Sequence, residues 1–189
     1  MPINNQYRKS PRAKWIAYNN GTYFITVCTK NKQSYFGHIS GDEMILSDVG
    51  RFLDKELSLP HIHHTNIVVV QYVVMPNHFH AIVVVGSSIG SQQLPESADD
   101  RRLIGYMNMA HRKRKVPCNI PLLSRYIGSL KSAVSRMAHN IGVDFEWQSR
   151  YHDHAIRDTR DLNKISEYIS NNVRRWNMDC FNPESVDRQ

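Results

Sequence analysis

The chain has 189 residues, three cysteines and a formal net charge of +7 at pH 7. That length can bury a core without staples, and the widely spaced Cys28, Cys118 and Cys180 offer neither a disulfide framework nor a zinc knuckle, as expected of a reducing compartment. No stretch is both long and charge-free enough to span a bilayer and no signal-peptide core opens the chain, so the expectation is a cytoplasmic α+β domain with an anionic partner and no membrane.

Residues 1–20 are polar and basic, with Arg8, Lys9, Arg12 and Lys14 around Pro11, and read either as a frayed terminus or as a phosphate-contacting arm. A strand is predicted over residues 21–29, rich in β formers, followed by a short ribbon from Tyr35–Ile39 to Met44–Leu46 that turns at Gly41-Asp42. Ser47 then caps a helix through Leu57, with Val49, Phe52, Leu53 and Leu57 as its apolar stripe and Pro60 beyond its end. Residues 66–75 and 78–85 read as two central strands, apolar on both faces and joined through Pro76-Asn77.

The second of these strands opens with His78-Phe79-His80. On a strand, side chains at i and i+2 share a face, so the two imidazoles project together while Phe79 enters the core behind them. Two imidazoles one pleat apart are half of a metal site. Two other His-x-His pairs occur. His61-Ile-His63 stands in a loop with no sheet to fix its geometry, and His152-Asp-His154 lies in the extended segment from Phe145 to Arg157.

From Gly86 to Asp100 the composition falls to Gly, Ser, Gln, Pro and Asp, the signature of a mobile loop, and a basic insert runs over about 86–121. Between Arg101 and Val143 there is no Asp or Glu. A basic run is usually only a solvated surface, but such surfaces mix the two signs, so Arg112, Lys113, Arg114, Lys115, Arg125, Lys131 and Arg136 are candidates for contacting an anionic partner. A helix is predicted over 124–140, with Ile127, Leu130, Ala133, Val134 and Met137 inward. A last helix opens at Asp161 and carries Leu162, Ile165, Ile169 and Val173 inward, with Trp176 closing the packing and a short tail over 177–189.

On that helix Tyr168 and Asn172 are four residues apart and share a face. Tyr168 reads either as a boundary tyrosine packing its ring on the core or as a nucleophile. A phenol is a weak nucleophile at neutral pH, and it becomes useful beside a polarised phosphate and positive charge. An Asn172 carboxamide oxygen would complete a His-His-Asn set. Those ligands bring no negative charge, leave a cation its Lewis acidity, and suit Mg2+ or Mn2+.

Val73-Val-Met-Pro-Asn-His-Phe-His80 resembles the His-hydrophobic-His motif of single-tyrosine transposases. With Gly21-Thr-Tyr-Phe-Ile-Thr26, Ser129-Leu-Lys-Ser-Ala-Val134, Trp147-Gln-Ser-Arg-Tyr-His-Asp-His-Ala-Ile-Arg-Asp158 and Glu167-Tyr-Ile-Ser-Asn-Asn172, the chain resembles the REP-associated tyrosine transposases over about Arg8 to Trp176. The resemblance implies a ferredoxin-like α+β domain, its antiparallel sheet covered by helices on one face, with a C-terminal helix carrying the nucleophilic tyrosine. It also implies cleavage of single-stranded DNA next to a hairpin, as a monomer or homodimer, through a 5′-phosphotyrosine link, which makes DNA the anionic partner of the basic residues. Matched by position, His78, His80 and Asn172 correspond to the metal ligands and Tyr168 to the nucleophile. His152, His154 and Arg157 fall in a family-typical segment as possible support for the site. Two rival readings stand beside it: a hairpin-binding protein without cleavage, and a metal-dependent phosphodiesterase that uses water.

Overall fold

The computed structural model describes residues 20–60, 64–86, 120–183 and 185. Four strands form one antiparallel sheet: β1 (Gly21–Cys28), β4 (Ile67–Val74), β5 (His78–Val85) and β6 (His152–Ile156), in the order β4-β5-β1-β6. A separate ribbon pairs β2 (Gly37–Ser40) with β3 (Glu43–Leu46). Helix α1 (Asp48–Ser58) connects the ribbon to β4, α2 (Leu122–Asn140) precedes β6, and α3 (Thr159–Asn171) follows it. Setting the ribbon aside, the sheet and the first two helices run β-α-β-β-α-β, and the strand order is that of a ferredoxin-like sheet.

Local chemistry accounts for the elements. Ser47 caps α1, its hydroxyl accepting from the Gly50 N–H at 3.0 Å. The buried residues Val49, Leu53 and Leu57 follow at helical spacing. Gly50 has to lack a side chain, because a Cβ there would meet the Phe36 carbonyl oxygen at 2.0 Å. Helix α2 starts two residues earlier than the expected Ser124: Pro121 occupies the cap position, its carbonyl accepts from the Arg125 N–H, and the Ser124 hydroxyl meets Tyr151 Oη instead. Of the extended segment from Phe145 to Arg157, residues 152–156 form strand, and Trp147 makes an isolated bridge to Thr29.

The two faces of the sheet differ in their cover. Tyr23, Ile25 and Val27 of β1 and Phe79, Ala81, Val83 and Val85 of β5 join α1 and α2 in the core. Phe24 and Thr26 alternate to the other face with His78, His80 and Ile82, and α3 packs there. A bulge in β4 leaves Val70 exposed and turns Gln71 toward α3, where its amide donates to the Ser166 carbonyl (3.1 Å) and the Ser170 hydroxyl (3.0 Å). Among the described residues no helix is long and apolar enough to cross a membrane.

Candidate metal centre and tyrosine site

The His78–His80 pair begins at a turn held from several sides. Asn77 lies in it, its carbonyl accepting from both the Thr29 N–H and the Thr29 hydroxyl at 2.9 Å. The Asn77 amide nitrogen donates to the carbonyls of Lys32 (3.1 Å) and Phe181 (2.8 Å). Those two carbonyls fix the amide orientation, so Asn77 Oδ1 is an acceptor for His78 Nδ1 at 2.8 Å. His78 therefore carries its proton on Nδ1 and presents a lone pair at Nε2.

His80 Nδ1 lies 2.8 Å from the Thr26 hydroxyl, which can donate or accept. The two Nε2 atoms are 3.1 Å apart. Lone pairs at that distance need a proton or a cation shared between them. Both imidazoles are buried, and burial pushes His80 down to about 3 and His78 well below its ordinary value, helped by the neighbouring His80 and Lys32. Neutral, unprotonated nitrogen is what a metal ion requires of histidine.

Oxygen atoms complete the cluster. His78, His80 and Asp179 each offer a ligand atom, all within 4.8 Å of one another, and form a group able to hold a metal ion. Asp179 Oδ2 is 3.9 Å from His78 Nε2, while Oδ1 accepts from the Phe181 N–H at 2.8 Å. Asn172 is 2 % exposed and its Oδ1 has no hydrogen-bond partner. A buried carbonyl oxygen left alone is costly, so its position suits an electropositive group. The residues present thus fit a hard divalent cation held by nitrogen and oxygen, with no thiolate in the set.

Tyr168 stands at the rim. Its Oη is 3.2 Å from His80 Nε2, its ring is edge-on to Phe24, and it is 39 % exposed. Phe24 in turn stacks on His80 at 5.2 Å. Burial raises the Tyr168 phenol above its ordinary value, and hydrogen bonding with Asn172 pulls the other way. The opposite wall is aromatic: the Phe181 ring centroid lies 4.6 Å from that of His78 and Trp176 lies 6.1 Å away.

Four predicted residues, His78, His80, Tyr168 and Asn172, therefore meet. Two others that meet there, Asp179 and Phe181, come from the segment expected to be a tail. The sequence signal for them is slight, since an Asp three residues after Trp176 has no periodicity to place it. His152 and His154 lie on β6 on the same sheet face, opposite Thr26 and Phe24, and both are exposed. His154 Nε2 bonds Asp161 Oδ2 at 2.8 Å, and Arg157 is exposed beside it. Arg125, Lys131 and Arg136 ride on α2, across the sheet from the histidines. The Lys131 ammonium is turned inward, donating to the Gln148 carbonyl at 2.7 Å and lying 5.7 Å from the Trp147 ring centre. Arg112, Lys113, Arg114 and Lys115, the 86–121 insert apart from its ends, the arm over 1–19 and His61–His63 lie outside the described residues.

No protein-family model matches the chain. An uncharacterized protein of Haemophilus influenzae is 30 % identical over 190 residues, covering 92 % of each chain. A solved structure of a REP-associated tyrosine transposase bound to a REP hairpin superposes with a TM-score of 0.54 at 22 % identity, covering 88 % of this chain and 73 % of that one. The chain belongs to the family of the Haemophilus influenzae protein, and it has the fold of the REP-associated tyrosine transposases.

Proposed function

We propose that the protein is a metal-dependent endonuclease and strand transferase for single-stranded DNA that cuts beside a hairpin, with Tyr168 as nucleophile. The observation that carries this reading is the position of Tyr168 Oη, 3.2 Å from His80 Nε2 at the rim of the His78-His80-Asp179 cluster. His78, His80, Asp179 and Asn172 would hold the ion, and the oxygen-bearing set favours Mg2+ or Mn2+. Bound there, the cation supplies Lewis acidity against a phosphate oxygen.

Tyr168 does the covalent work. Its Oη forms a bond to the scissile phosphorus as the bond to O3′ breaks, giving a 5′-phosphotyrosine and a free 3′-hydroxyl. The phenol proton leaves to water, which reaches the exposed side of the ring, and the departing O3′ takes a proton from water to become the hydroxyl. The phosphodiester energy is kept in the new ester, so a 3′-hydroxyl can reverse the step without ATP. Phe24, packed against both His80 and the tyrosine ring, holds the ring at the site while its hydroxyl stays accessible. The similar transposase structure holds a hairpin, which supports a hairpin as the bound DNA here too. The exposed Arg125 and Arg136, with the Arg112–Lys115 run, would contact phosphates of the stem, with His152 and Arg157 near the cut strand. Lys131, bonded to carbonyls, would add only its field.

One observation favours a second reading. Burial raises the Tyr168 phenol, which works against its use as a nucleophile, and a phosphodiesterase attacking with water would need no such phenolate. Incubating the protein with Mn2+ and labelled single-stranded hairpin oligonucleotides that carry unpaired flanks separates the two. A denaturant-resistant protein–DNA adduct on the 5′ side of the cut supports the proposal; cleavage with no adduct would favour water.

A further inference from the structure

His154 has no task in the chemistry above, yet it makes a specific contact. Its Nε2 lies 2.8 Å from Asp161 Oδ2, joining the edge strand β6 to the first turn of α3. Asp161 is itself held by the helix cap. Its N–H donates to the side chain of Asp158, the N-cap, at 2.8 Å. The His154 hydrogen bond holds that carboxyl below its ordinary value, with a smaller pull from the Arg157 backbone.

Asp161 also shares a helical stripe with Ile165, Tyr168 and Asn172, at offsets of four, seven and eleven residues. Contact with the sheet along α3 is thin, since Ile169 is its one buried residue. A helix so lightly packed is free to roll or slide unless something fixes it at both ends. Near its C-terminal end, Gln71 of β4 donates to Ser166 and Ser170. At the N-terminal end, His154–Asp161 is the corresponding tie. His154 is the register partner of Phe24, whose ring packs against both His80 and Tyr168. The tie thus runs from the strand that carries Phe24's neighbour to the helix that carries the tyrosine.

We propose that His154 and Asp161 form a positioning pair that sets the rotation of α3 and so aims Tyr168 Oη at the phosphate. His154 is a positioning residue, not a catalytic one, and the inference rests on Tyr168 being the nucleophile. Removing either partner leaves His78, His80 and Asp179 in place and lets the tyrosine wander from its attacking geometry. An exposed pair of this kind shifts a two-state population by a factor of roughly two to five.

The test uses full-length protein, a labelled hairpin oligonucleotide and Mn2+, with 3-fluorotyrosine placed at position 168 in a parallel sample. His154→Ala should slow single-turnover adduct formation at saturating DNA by roughly two- to fivefold with unchanged hairpin Kd, and His154→Gln should restore the rate. In Asp161→Ala, adding His154→Ala should cost nothing more. The fluorine resonance should shift or broaden in His154→Ala and return in His154→Gln. A His154→Ala rate within about 1.5-fold of wild type, or a fully additive double variant, would overturn the pair. A parallel loss of hairpin affinity would also overturn it, by making His154 a DNA contact. If Tyr168→Phe still forms the adduct, the nucleophile assignment fails instead; the fluorine resonance then still decides whether His154 orients the helix, and an unmoved line overturns the positioning pair on its own.

Discussion

Tyr168 Oη and His80 Nε2 lie 3.2 Å apart although 88 residues separate them in the chain. The contact exists because β5 turns His80 away from the core that Phe79 enters, and because α3 crosses that same face of the sheet. A phenol, two neutral imidazoles and the Asp179 carboxylate are thereby gathered on one face of the sheet.

The candidate metal cluster leads to a graded expectation. His78→Ala and His80→Ala should each abolish Mn2+ binding in calorimetry and abolish cleavage, while hairpin affinity, carried by basic residues elsewhere, stays within about twofold. Asp179→Asn should weaken Mn2+ by about tenfold, because it removes the one negative ligand of the set. Asn172→Ala should weaken it less. Identical Mn2+ affinity in wild type and Asp179→Asn would remove the carboxylate from the centre.

Much of this site is legible in the sequence, for physical reasons. Strand alternation puts His78 and His80 on one side and Phe79 on the other, and helical spacing puts Tyr168 and Asn172 together; both periodicities are short-range. Asp179 is not legible. It reaches His78 through an irregular turn after a single 3-10 turn at Trp176–Met178, and such turns have no repeating pattern from which to project a side chain. The start of α2 departs from its expected position for a similar reason, since Ser124 is a good cap by type but its hydroxyl is taken by Tyr151. The association of His154 with Asp161 depends on where β6 ends relative to α3, which propensity does not fix.

A buried carboxyl provides a test of the fold away from the site. Glu56 of α1 is 6 % exposed and its Oε1 has no partner among the described residues. Burial pushes it up to about 7 from 4.5, against the pull of Arg136. Between those values the folded protein keeps the proton while the unfolded chain releases it, so stability falls as pH rises and the full penalty stands above pH 7. Glu56→Gln removes that loss, worth on the order of 3 kcal/mol. Urea melts from about pH 4.5 to 8 should show the variant gaining on wild type through this window; parallel curves would show that Glu56 ionises without cost.

The basic run makes an electrostatic prediction. Neutralising Arg112, Lys113, Arg114 and Lys115 together should weaken hairpin binding and flatten its salt dependence, by about 0.7 in the log–log slope for each single-strand phosphate that is no longer neutralised. Binding isotherms between about 50 and 200 mM salt measure it. An unchanged slope would assign the run to solvent.

The most direct measurement concerns Tyr168 itself. Tyr168→Phe keeps the ring against Phe24 and His80 and removes only the hydroxyl, so thermal stability and hairpin affinity should stay near wild type. Wild type and variant are incubated with Mn2+ and a 5′-flanked single-stranded hairpin, resolved under denaturing conditions, and the adduct is mapped by peptide mass spectrometry. With Tyr168 as nucleophile, wild type forms an adduct on the peptide containing Tyr168, through the 5′-phosphate of the cut strand, and Tyr168→Phe gives neither adduct nor cleavage. An adduct that persists in the variant, or maps to Tyr151 or Tyr126, would refute the assignment.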